Sequence, residues 1–190
     1  MIWLIFSTFA TGSGGETGKG HRSLPYWPQR PPFSFKRRAP RANDVVIEIL
    51  YCGVWHSDLY DWGWTNYPIV VGHEIVGRVV KVGPDVTRHK IGDHVAVGTM
   101  VDSCQHCDQC RKGEEQLCRE GNTQTFAGSD RITGEPTWGG YSKHIVVREE
   151  FVLQVPDGLD LAKAGPLLWR VPRPIRRCGP GISAQVAASA

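Results

Sequence analysis

Four thiols within fifteen residues carry the densest chemistry in this 190-residue sequence: Cys104, Cys107, Cys110 and Cys118, spaced C-x2-C-x2-C-x7-C. Four thiolates can surround Zn²⁺ tetrahedrally at about 2.3 Å, and a closed shell of four leaves no position open for a substrate. The spacing therefore predicts a structural ion. Two alternatives stay open. An iron–sulfur site would want a shorter last gap and a following Pro, where this chain has Arg119; a disulfide pair is the other. His106 lies between two of the thiols and, with four sulfurs available, reads as a solvated loop residue. Thiols gathered this closely do not form the spread-out bridge framework of a secreted domain, so a reducing cytoplasm is expected.

Other motifs flank the cluster. They run Cys52-Gly53-Val54-Trp55-His56-Ser57-Asp58-Leu59, then Gly72-His73-Glu74, then Gly92-Asp93-His94-Val95, then Gly139-Gly140-Tyr141-Ser142 and Ala164-Gly165-Pro166-Leu167-Leu168. Alone, a Ser or Asp after an apolar strand is ordinarily a turn or cap residue, and a His-Glu pair is ordinarily on the surface. In this order, over about residues 32–168, they resemble the zinc-dependent alcohol dehydrogenases of the medium-chain dehydrogenase/reductase superfamily. Within it they are most similar to the cinnamyl alcohol dehydrogenase-like aldehyde reductases.

The resemblance implies a mainly β fold, the GroES-like barrel of that family's catalytic domain, with a zinc-binding lobe at 102–120. It implies reduction of an aldehyde by NADPH, or the reverse oxidation of a primary alcohol. Zinc would polarise the carbonyl oxygen and a hydroxyl relay would supply the proton. Carried onto this sequence, it makes His73 a catalytic zinc ligand and Glu74 its neighbour, able to coordinate when water exchanges. Ser57 becomes the relay hydroxyl, Asp58 the carboxylate that orients the ligand imidazole, and His56 a cofactor-binding residue. The implied partners are a small aldehyde or alcohol and a second copy in a homodimer.

The sequence also departs from that pattern. Trp55 stands where the family places a zinc-binding Cys, and Trp169 where it places another, directly after Leu167-Leu168. Indole nitrogen is a donor only and cannot ligate zinc. Cys52, three residues away at a strand end, should point elsewhere. Tyr60 replaces a usual His, and the stretch from Tyr60 to Tyr67 is short. No G-x-G-x-x-G follows residue 168, so the family's Rossmann domain is expected to be missing, and the tail from Trp169 is expected to be coding sequence read out of frame. The expectation is a chain of this family without its activity; the rival is a non-catalytic zinc-binding barrel fragment. Competence needs about two zinc ions per chain, the rival one.

The elements that must position these residues are short strands. Residues 45–50, 75–82, 93–97 and 144–153 are rich in β-branched side chains and bounded by turn residues. A single helical pattern falls at 159–168. Short strands without α/β alternation point to a small barrel or sandwich. Residues 1–31 read as a disordered leader or linker. Its Gly-rich part fails both phosphate-loop tests, since Ser13 stands where a Walker loop needs Gly and Thr17 where a dinucleotide loop does. Residues 169–190 read as a poorly ordered tail.

The net charge of +3 is an effect of these ends: residues 1–31 carry +2 and 169–190 carry +4, leaving −3 on the body. An acidic body excludes a nucleic-acid binder. The apolar run at residues 1–10 is well short of the roughly 20 residues of a membrane span and lacks the basic start of a signal peptide.

Overall fold

A computed structural model describes residues 17–21, 32–59 and 68–170 of the chain. The departures expected at Tyr60–Tyr67, and the tail beyond residue 170, lie outside the described residues. Among the described residues, nine strands and three α-helices follow in order: β1 (Thr17–His21), β2 (Pro32–Lys36), β3 (Asp44–Gly53), α1 (His56–Leu59), β4 (Glu74–Val82), β5 (His94–Val97), β6 (Met100–Asp102), α2 (Asp108–Arg111), β7 (Thr123–Gln124), β8 (His144–Arg148), β9 (Val152–Gln154) and α3 (Leu161–Arg170). The runs expected at 45–50, 75–82 and 93–97 are strands, whereas the run expected at 144–153 is broken into β8 and β9 by a 3-10 turn at Glu149–Phe151.

Five strands make one antiparallel sheet in the order β8-β3-β4-β5-β9. Laid flat, its outer strands would lie about 19 Å apart at the usual strand spacing. Yet β8 and β9 are joined only by a turn of 3-10 helix, Glu149–Phe151, and the four steps from Arg148 to Val152 reach at most about 14 Å. The sheet must therefore curl, which is how a mainly β chain encloses a core. Inside lie Val45, Ile47, Ile75, Val79, Val95, Val97, Ile145 and Val147. The β3–β4 register shifts twice, between Val46 and Ile47 and between Ile49 and Tyr51, and such bulges add the twist that curling requires. Gly77 faces β3 so closely that a Cβ would stand 2.3 Å from the Glu48 carbonyl oxygen. Only glycine fits there.

On the outer face packs α3, whose Ala164 and Leu161 meet Val76, Ala96 and Val155. Asp160 starts this helix, its carboxylate accepting from the Ala162 amide at 3.0 Å, as an N-cap does. The helix runs on through Trp169 and Arg170.

One strand is a correction. Thr17–His21 was expected in a disordered leader without strand periodicity, and the structure pairs it antiparallel with Pro32–Lys36. The sequence TGKGH has no apolar alternation to announce a strand. Its pairing rests on the backbone ladder.

Candidate metal centre and neighbouring cleft

The chain leaves the barrel along β6 and returns along β7, and these two short strands pair antiparallel. Between them the loop folds into a lobe. Its Cys104, Cys107, Cys110 and Cys118 place their sulfurs within 4.8 Å of one another. Ligands at about 2.3 Å from a tetrahedral ion stand about 3.8 Å apart, and the Cys104 and Cys110 Sγ atoms are 3.8 Å apart. The thiols are free, and that separation is nearly twice a disulfide bond. The donor set fits one tetrahedral metal ion.

The backbone is arranged for thiolates. The Cys107 amide donates to Cys104 Sγ at 3.4 Å, and the Cys110 amide to Cys107 Sγ at 3.5 Å. Gln105 takes a left-handed φ of 61°, and its side chain donates to Ser103 Oγ at 2.6 Å. That hydroxyl lies 3.3 Å from Cys110 Sγ. Amides of Arg119 and Cys110 hold the Cys107 thiol down to about 6, while burial pushes Cys110 up to about 12. Metal entering the site must displace protons from the buried sulfur. His106 is exposed, as a solvated loop residue should be, but it is not idle: Nδ1 lies 2.8 Å from the Cys104 carbonyl oxygen and Nε2 2.5 Å from Glu120 Oε1.

A second constellation lies where β3 ends and β4 begins. Asp58, on α1, is 1% exposed. Its Oδ2 accepts from the Trp55 amide at 2.9 Å and from the Tyr141 hydroxyl at 2.9 Å, and its Oδ1 from the Gly72 amide at 3.1 Å. Gly72 has a φ of +103°, and a Cβ there would meet Cys52 Sγ at 2.8 Å. This turn delivers His73 beside Asp58, with Nδ1 3.6 Å from Oδ1. That nitrogen is buried without a hydrogen-bond partner, and the ring packs on Phe126 at 5.6 Å. Glu74 pairs in register with Gly53 and is buried. Burial holds its carboxyl above the ordinary range, against the pull of His73.

Of the residues singled out in the sequence, Asp58, His73 and Glu74 thus converge. Ser57 and His56 sit on the same short helix, Ser57 half-buried and His56 exposed. A ligand shell does not form: among the described residues, the groups of three or more mutually close metal ligands lie in the lobe, and none includes His73, Glu74 or Cys52. Cys52 Sγ is wedged against Gly72 and Gly140, and burial raises its thiol well above the ordinary range. Trp55 is 37% exposed and offers its indole N–H only as a donor. Among the described residues, no third close metal ligand accompanies His73 and Glu74.

Sequence reasoning missed Tyr141 as a partner of Asp58, Glu120 as a partner of His106, and the ion network at the base of the lobe. Arg41 joins Asp102 at 2.7 Å and Asp130 at 2.6 Å, and Arg38 reaches Asp130 at 2.9 Å. Each pairing spans sixty residues or more, with no local pattern to reveal it.

Residues 41–157 match the family of the alcohol dehydrogenase GroES-like domain. The NADP-dependent alcohol dehydrogenase C 1 of Mycolicibacterium smegmatis is 50% identical over 137 residues, 70% of this chain and 39% of that protein. A cinnamyl alcohol dehydrogenase structure from Sorghum bicolor superposes with a TM-score of 0.74 at 40% identity, over 80% of this chain and 44% of its own. The structure of CAD from Helicobacter pylori complexed with NADP(H) gives 0.74 at 39% identity, over 80% and 45%. The chain spans less than half the length of each of these relatives. Among the described residues no helix is long and apolar enough to cross a membrane.

Proposed function

Because the chain belongs to the alcohol dehydrogenase GroES-like domain family, we propose that it is the barrel portion of an NADP(H)-linked, zinc-dependent alcohol dehydrogenase or aldehyde reductase, holding the structural zinc and lacking turnover of its own. The observation that carries this reading is the contrast between its two constellations. Four sulfurs in the lobe stand at one-ion spacing, whereas among the described residues no third ligand gathers around His73 and Glu74.

The reaction class is hydride transfer between NADP(H) and a small primary alcohol or aldehyde, as the names of the relatives suggest. Asp58 stands 3.6 Å from the His73 imidazole, where it would orient that ring once the two draw into hydrogen-bond range, and it ties the α1 turn to Gly72 and Tyr141. Ser57 and His56 occupy the α1 positions that would face substrate and cofactor. A homodimer and a cytoplasmic setting belong to the same reading, as do a leader over 1–31, a domain over 32–168 and an aberrant segment from 169. Bound in the lobe, zinc supplies structure: it crosslinks residues 104 to 118 and favours the folded loop by its own binding free energy.

The test is NADPH consumption by the purified, zinc-replete chain with an aromatic aldehyde. No rate above background is expected. Turnover that is saturable in aldehyde and lost on His73→Ala would contradict the assignment.

A further inference from the structure

The lobe holds a second set of ligands that overlaps the first. Cys104 Sγ, a ring nitrogen of His106 and a carboxylate oxygen of Glu120 also lie within 4.8 Å of one another. We propose that these three form an entry site, through which a thiophilic divalent ion is captured at the surface and passed to the four-thiol centre by way of the shared Cys104. The proposal rests on the reading of the lobe as a zinc centre.

The gradient of exposure sets the direction. The side chains of His106 and Glu120 are 66% and 45% exposed, Cys104 is half-buried, and Cys110 and Cys118 are buried at 6% and 9%. An incoming ion meets imidazole and carboxylate before it meets the inner sulfurs. On the Cys104 side the nearby cation, Arg131, is spent on Glu120 Oε2 at 2.7 Å. The Oε1 atom is left facing His106. Imidazole, thiolate and carboxylate all suit Zn²⁺.

Sharing one sulfur makes the transfer stepwise. The ion exchanges its bonds to His106 and Glu120 for bonds to Cys107, Cys110 and Cys118 while Cys104 stays attached, and the protons displaced from the inner thiols leave to solvent. A naked ion is never released. An entry site lowers the barrier in both directions and leaves the final equilibrium alone.

Cobalt(II) uptake by the metal-free full chain, followed by its thiolate charge-transfer absorption, tests this, together with release from the loaded chain to a chelator. His106→Ala and Glu120→Gln should each slow uptake and release alike, by about ten-fold. One ion should still bind, with an unaltered charge-transfer spectrum. Unchanged rates would overturn the entry site. So would faster release with uptake unaltered, or a shifted spectrum, because either would make His106 a support of the thiol geometry. If the unaltered chain binds no cobalt at all, the four-thiol reading fails and the entry site falls with it, a result distinguishable from normal loading at equal rates.

Discussion

Asp58 holds three donors from three separate stretches of chain, the Trp55 amide, the Gly72 amide and the Tyr141 hydroxyl. Buried hydrogen bonds to a charged acceptor contribute about 1.5–3 kcal/mol each, and donors left unpaired cost more. Tyr141→Phe should therefore lower stability by about 1.5 kcal/mol in urea denaturation. Asp58→Asn, which turns an amide group toward donors, should cost more. An Asp58→Asn chain within experimental error of the unaltered protein would show that the carboxylate does not hold this turn. At this scale the sequence was legible where a motif names neighbours. Asp58 and His73 are found together because both sit in recognisable strings, whereas Tyr141 is 83 residues from Asp58 and its role needs the barrel closed.

Between elements, the segment preceding β3 is riveted to the lobe by charge. Arg41 bridges Asp102, at the end of β6, and Asp130, both nearly fully buried. Removing one partner of a buried pair leaves the other charged and unpaired, costing about 3–5 kcal/mol; Arg41→Met takes the cation from Asp102 while Asp130 keeps Arg38, and with Arg41 one quarter exposed the cost should fall near the lower bound, about 3 kcal/mol. The Asp130 carboxyl is held below its ordinary range although burial opposes it, because amides of Thr133 and Ile132 and the cations Arg41 and Arg38 favour its charged form. Its folded value being the lower one, the unfolded chain binds the proton more readily. Asp130 therefore contributes stability above its ordinary value of 3.8, which is lost as pH falls through the lower folded value. Denaturation midpoints between pH 5 and 3 should drop less steeply in Asp130→Asn; an identical slope would refute the assignment. The strands were readable from their β-branched runs and the lobe from its thiols. Thr17–His21 was not, since nothing in TGKGH alternates, and neither was the Arg41 network, whose members show no spacing in sequence.

Across the whole molecule, a curled five-stranded sheet supplies stability of its own, and the lobe hangs from it by the two-stranded β6–β7 base. Metal removal should therefore loosen the lobe and leave the barrel folded. With a chelator, proteolysis should cut first between residues 103 and 122, and Cys110→Ser should be cut there even with zinc present; cleavage within β3 or β4 at the same rate would contradict that independence. On the proposed reading, the chain keeps one metal site and has lost the other. Native mass spectrometry of the full chain, purified with zinc and freed of loosely held metal, measures it most directly. One zinc ion per chain is predicted, disappearing in Cys110→Ser. Two ions, with the second removed by His73→Ala, would contradict it.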